Sequence, residues 1–200
     1  MTRSVSRGFT LIEALLVVGI VGILVVLAVP DLGRSTSLLR AQLAAQEVAR
    51  ALHGARMTAV RQRMRVAVRF NTENPKHVTY TVFQDGNGNG VRNRDIGRGV
   101  DPPLGPPQQL QRLGKTVRFG FPPGIRPRQI GHPRRYLNRL DDPIRFNRSD
   151  LASFDPLGTS TPGTVYLTAG RDTLVAVRVF NRTGKIVVMT YDPDSGLWRR

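Results

Sequence analysis

Glu13 lies within an apolar run, residues 9–29, whose only polar members are Thr10 and Glu13 itself. A carboxylate at membrane depth costs roughly 2.5–3.5 kcal/mol on insertion scales, so a glutamate there is functional by default. The chemistry open to it is ion pairing, because a cation meeting it in low dielectric relieves both charges. Gly8 followed by Phe9, with Arg3 and Arg7 only upstream, has the form of a processing site. The chain is therefore expected to be cut there and to keep its apolar segment after the cut.

Two further sets of residues have chemistry to offer. Asp85, Asn87, Asn89 and Gly90 occupy the first, third, fifth and sixth positions of a calcium loop. The twelfth position, normally a bidentate carboxylate, is Ile96, while Asp95 falls one residue early and Arg92 and Arg94 repel a divalent cation. A plain turn is the favoured reading, with calcium as the alternative. Arg126, Arg128, Arg134, Arg135 and Arg139 form a basic run interleaved with His132 and Tyr136. Such a run is either a solvated loop or a surface that holds phosphates and stacks a base. Arg182, Arg199 and Arg200 extend it only if the fold brings them close.

Catalytic chemistry finds no foothold. The chain has no cysteine, which excludes a thiol nucleophile, a thiolate zinc site and disulfides. His53, His77 and His132 are scattered and show no metal-ligand spacing. Asp141 and Asp142 precede Pro143 and read as a turn rather than an acid–base couple.

The elements that position these residues follow from length and periodicity. Two hundred residues suit a membrane helix plus one globular domain with a single core. The formal charge is +16, from 30 Lys+Arg against 14 Asp+Glu, and loss of the two arginines at 3 and 7 leaves +14. Nearly all the positive charge is arginine. A GC-rich genome explains that bias, and so does a surface that attracts polyanions.

Residues 9–29 meet the ~20 needed to cross a hydrocarbon core. A conventional secretory signal has a shorter core and is cut after it, which fits Glu13 poorly. A plain anchor accounts for the length and leaves Glu13 without a purpose. Beyond Pro30, Ala41, Ala45, Val48, Leu52, Ala55 and Ala59 recur at helical spacing and predict an amphipathic helix to about residue 63. From residue 64 the period becomes 2. Strands are predicted over 64–70 with one buried face, then 77–83, 117–121, 144–146, 164–168, 173–180 and 185–191. Asn181, Arg182, Thr183 and Gly184 form a hairpin turn between the last two. Residues 84–143 read as irregular, proline-rich surface loops.

The string Arg7-Gly8-Phe9-Thr10-Leu11-Ile12-Glu13 resembles the class III signal of type IV pilins and pseudopilins. The resemblance implies cleavage between Gly8 and Phe9 by a prepilin peptidase, and N-methylation of Phe9. It places Pro30 where that family often has a helix-kinking proline. It also implies that Glu13 pairs with the free amine on Phe9 of a neighbouring subunit. A glutamate that snorkels, or is simply protonated, is the plainer alternative.

The rest of the chain is similar to the GspH/FimT family of minor pilins and pseudopilins. The similarity lies in the alanine-rich helix, the early strand pair, the Asp/Asn/Gly loop, the segment Ala152-Ser153-Phe154-Asp155-Pro156-Leu157-Gly158-Thr159, and the hairpin before Trp198.

That likeness implies an α+β fold, a long helix packed on an antiparallel sheet domain. Its parts would be a leader (1–8), a transmembrane assembly helix (9–29), its amphipathic continuation (30–63) and a β-rich domain (64–200). It implies a structural subunit without a cofactor, in the bacterial inner membrane as a single pass with its domain periplasmic. From there it would enter a secretion pseudopilus or type IV pilus. Expected partners are other pilin subunits, the peptidase, the inner-membrane assembly platform and lipid. The alternative is a pilus-associated DNA receptor for natural transformation, as some minor pilins bind DNA through arginine-rich loops.

Overall fold

The computed structural model describes residues 10–72, 78–114, 116–147, 149–180 and 183–200, excluding the side chains of 26–34, 111 and 113. Gly8, Phe9, His77, Arg182 and the side chain of Pro30 lie outside the described residues. The chain divides into two compact units, Met1–Thr36 and Ser37–Arg200. Helix α1 (Leu11–Gln62) contributes its first part to one and its second part to the other.

Thr10 starts α1 as its N-cap. Its hydroxyl accepts the Glu13 N–H at 3.4 Å and its carbonyl accepts the Ala14 N–H at 3.1 Å. The apolar side chains that follow, from Leu11 to Val25, are exposed. Among the described residues no helix is long and apolar enough to cross a membrane. The described side chains of the apolar run end at Val25, short of residue 29. The helix continues through Pro30.

In the second unit α1 ends in a Schellman turn. Arg63 takes φ +52°, and the Met64 N–H reaches back to the Ala59 carbonyl at 3.2 Å. The expected stripe is buried: Ala41, Ala45, Val48, Leu52 and Ala59 are fully covered, with Ala55 2% exposed. Small side chains let the sheets approach the helix closely.

Two antiparallel sheets share that core with α1. The first contains β1 (Val66–Asn71), β2 (Thr79–Gln84), β3 (Gln108–Gln109) and β8 (Leu151–Phe154), in the order β3-β2-β1-β8. The second has β4 (Val117–Phe119), β9 (Gly163–Ala169), β10 (Thr173–Phe180), β11 (Lys185–Asp192) and β12 (Leu197–Arg199), in the order β12-β11-β10-β9-β4. Strand β7 (Ile144–Arg145) also pairs with β9. A third pair is β5 (Arg128–Gln129) with β6 (His132–Tyr136). The α+β architecture is the one expected.

Strand β1 was expected to bury one face, and instead it buries both. Val66, Val68 and Phe70 face the core under α1, while Ala67 joins Leu151, Val91, Phe83 and Ile96 in a separate cluster. The residues expected to be irregular loops supply the cover. Helix α2 (Asn93–Gly97) and the loop before it lie over the first sheet through Val91 and Ile96. The β5–β6 hairpin covers the second sheet through Ile130 and Leu137, which pack with Tyr166, Leu174, Ala176, Met189 and Tyr191. These apolar residues stand singly among arginines and prolines, so no periodicity announces them. At Gly163 a Cβ would come within 2.2 Å of Phe146 and 2.5 Å of the Arg145 carbonyl, so β7 and β9 need a glycine there.

Candidate functional site

Glu13 occupies the first turn of α1, where a carboxylate complements the helix dipole and Thr10-x-x-Glu13 has the pattern of a capping box. Around it Leu11 and Ile12 are 79% and 74% exposed. The surface is wholly apolar apart from this carboxylate. The expected cleavage pair, Gly8 and Phe9, lies outside the described residues.

The Asp/Asn/Gly segment is a closed loop whose carboxylates face N–H donors. Asp85 takes the amides of Gly88 at 2.8 Å and Asn87 at 3.3 Å on one oxygen, and that of Gly90 at 2.7 Å on the other. Asn87 accepts the Asn89 N–H at 3.2 Å. The Asn89 side-chain amide donates to Asp95 at 3.2 Å, which turns its hydrogens, not its oxygen, toward the acid. Arg65, just before β1, caps the loop, donating to the Gly88 carbonyl at 2.9 Å, with Asp85 4.0 Å away. These contacts place N–H donors on Asp85, Asn87 and Asp95, three of the four residues of the calcium alternative. Among the described residues no three His, Cys, Asp or Glu groups converge as a metal site.

Asp101 escaped the sequence reading. It is 1% exposed and closes the loop from its far end, taking the Gly86 N–H at 3.0 Å and the Arg92 N–H at 2.9 Å. Its sole sequence signal is an aspartate one residue before a proline pair, which also describes an ordinary turn.

The basic run is divided by the fold. Arg126 donates to the Leu137 carbonyl at 3.4 Å, and Arg139 pairs with Asp141 at 3.9 Å. Arg128 donates to the Pro133 carbonyl at 2.9 Å and lies 5.8 Å over the Tyr136 ring. Every residue of β6 is exposed. The hairpin register is irregular there, with Gln129 opposite His132 and Arg128 opposite Tyr136. Among the described residues neither Arg134 nor Arg135 has an ion-pair partner. The C-terminus is close: the Trp198 indole donates to the Arg128 carbonyl at 2.7 Å. Arg199, however, is bound to Asp192 at 2.5 Å.

Two of the hollows contain a carboxylate hydrogen-bonded to a hydroxyl. The first, about 320 Å³, is lined by Arg65, Ser153, Asp155, Thr159 and Thr161 among others. Burial pushes the Asp155 carboxyl up, but the Thr159 hydroxyl, the Thr159 and Leu157 amides and Arg65 outweigh it and hold the group below the usual carboxylate range. The second, about 290 Å³, has Glu47, Tyr80, Gln108, Gln109 and Arg112 around it. There the Tyr80 hydroxyl donates to Glu47 at 3.0 Å, and Arg50 approaches Glu47 at 2.5 Å. Burial, then the Glu47 hydrogen bond and charge, raise the Tyr80 phenol to about 12 against the opposing Arg112 and Arg50.

Comparison with known families decides the class. Residues 44–184 match the model of the family described as type II transport protein GspH. The chain belongs to the GspH family. Residues 3–29 match the prokaryotic N-terminal methylation motif, which contains Gly8, Phe9 and Glu13. GspH proteins are minor pilins and pseudopilins, structural subunits rather than enzymes, and membership implies a membrane-anchored protein that assembles with other pilin subunits.

Among solved structures the chain is similar to the Pseudomonas aeruginosa type IV minor pilin FimU, with 16% identity, a TM-score of 0.46, and coverage of 80% of this chain and 92% of that one. It is also similar to EpsH, a minor pseudopilin of the Vibrio cholerae type 2 secretion system. There the identity is 15% and the TM-score 0.44, over 76% of this chain and 97% of that one. No curated protein matches the chain.

Proposed function

We propose that this GspH-family chain is cut between Gly8 and Phe9 by prepilin peptidase, methylated on Phe9, and held in the bacterial inner membrane as a single pass with its β-domain periplasmic. An assembly platform then extracts it into a secretion pseudopilus or a type IV pilus. The observation that carries this reading is the exposed apolar surface of α1 from Leu11 to Val25, with Glu13 as its one carboxylate. Such a surface calls for lipid first and neighbouring helices afterwards. Paired with the Phe9 amine of the preceding subunit, Glu13 sets one register, because any other leaves two charges unmatched in low dielectric. No cofactor has a part in this reading.

Glu13→Leu in the full chain tests it. The variant should still insert and be cut, while its recovery in the sheared fibre fraction drops at least about tenfold. Unchanged recovery would contradict the registering role.

A second reading, a pilus-associated DNA receptor, is favoured by one observation: the fully exposed β6 strand, where Arg134 and Arg135 have no ion-pair partner among the described residues. Binding of duplex DNA that weakens with salt and is lost on Arg134→Ala with Arg135→Ala supports it. Absence of binding at low salt removes it.

A further inference from the structure

The run Asp85-Gly86-Asn87-Gly88-Asn89-Gly90 holds every Asp-Gly and Asn-Gly pair of the chain. These dipeptides share a chemical liability. The glycine nitrogen, with no Cβ beside it, attacks the Cγ of the preceding side chain. A bond forms between nitrogen and Cγ, and the nitrogen's proton ends on the departing group. Asparagine releases ammonia, aspartic acid releases water, and both give a five-membered succinimide. Water then opens the ring to aspartate or isoaspartate. Asn87, Gly88 and Asn89 are exposed, so water has free access.

The loop cannot discard its glycines. A Cβ on Gly86 would come within 1.9 Å of the Val100 carbonyl oxygen, and Gly88 and Gly90 take φ of +80° and +91°. What the fold supplies instead is an acceptor for each attacking nitrogen. The Gly86 N–H donates to Asp101 at 3.0 Å, and those of Gly88 and Gly90 donate to the two oxygens of Asp85 at 2.8 and 2.7 Å. Both carboxylates are buried, Asp101 with 1% of its surface exposed and the Asp85 side chain with 3%. Attack requires the amide to lose its proton. A carboxylate that accepts that N–H stabilises the protonated form and repels the anion.

We propose that residues 85–90 are a succinimide-forming modification site that the carboxylates of Asp85 and Asp101 hold inactive while the loop is closed. The reaction needs only water. Asn87 is the first to react once the loop opens. The Asn89 side-chain amide is also tied to Asp95 at 3.2 Å, a second tether that Asn87 lacks among the described residues. The change runs one way. An acid at position 89 faces Asp95 without the N–H that joined them. Isoaspartate at position 87 adds a methylene to a backbone whose amides are spaced to meet Asp85. The inference stands on this loop and is independent of the membrane and fibre reading.

The test incubates the full chain in detergent beside a synthetic peptide of residues 84–95 in mildly alkaline buffer, and follows deamidation at each asparagine by peptide mapping. The folded chain should react at least about tenfold more slowly than the peptide, the least that one charge-assisted hydrogen bond supplies. Asp85→Ala should bring Asn87 to the peptide rate. Arg65→Ala removes the side chain on the Gly88 carbonyl but leaves both Asp85 bonds, and should keep Asn87 protected. Hydrogen exchange on the unsubstituted chain gives a readout that needs no variant: the Gly86, Gly88 and Gly90 amides should exchange slowly. The proposal is overturned by peptide-like deamidation of the folded chain, by continued protection in Asp85→Ala, by equal release in Arg65→Ala, or by fast exchange at Gly88 and Gly90.

Discussion

Asp101 holds the loop over the first sheet with one buried carboxylate that accepts two backbone amides. Asp101→Ala leaves the Gly86 and Arg92 N–H groups without their acceptor. Charge-assisted bonds of this kind contribute about 1.5–3 kcal/mol each, so the unfolding free energy of the full chain in detergent should fall by about 3–6 kcal/mol. A loss near zero would show that the loop closes without it. Tyr80 offers a different readout. Its folded phenol titrates at about 12 against an ordinary 10.0, so its contribution is complete below pH 10 and is lost between there and about 12. Denaturant midpoints measured across that window should decline, and less steeply in Tyr80→Phe. Parallel curves for the two proteins would contradict the burial of that hydroxyl against Glu47.

Helix α1 stops where Arg63 enters the left-handed region, a conformation that costs a non-glycine residue roughly 1 kcal/mol. Arg63→Gly should therefore stabilise the chain by about 0.5–1 kcal/mol, seen as a higher denaturant midpoint with an unchanged slope. Destabilisation would mean that the Arg63 side chain has a role beyond the turn. The same helix shows what is legible at this scale. Its alanine-rich stripe and the strands at 173–180 and 185–192 carry strong periods, and the structure follows them closely. The β5–β6 hairpin and α2 were illegible because each is held by one or two isolated apolar anchors, such as Ile130 and Val91. Contacts of that kind are tertiary and leave no local pattern. The candidate basic patch suffered similarly. Five arginines close in sequence become two used on carbonyls, one paired with an acid and two left exposed on β6.

Taken whole, the molecule joins an apolar helical segment to a sheet domain whose own core is complete without it. Val48, Leu52, Phe70, Phe146, Leu167 and Val177 fill that core with essentially no exposure. The side chains from Leu11 to Val25 are exposed in the isolated chain. The most direct measurement is the intact mass of the full-length protein recovered from the membrane. The account predicts a chain that begins at Phe9, carries one added methyl group and retains Glu13. A chain beginning at Met1, or at any residue beyond the apolar run, would contradict it.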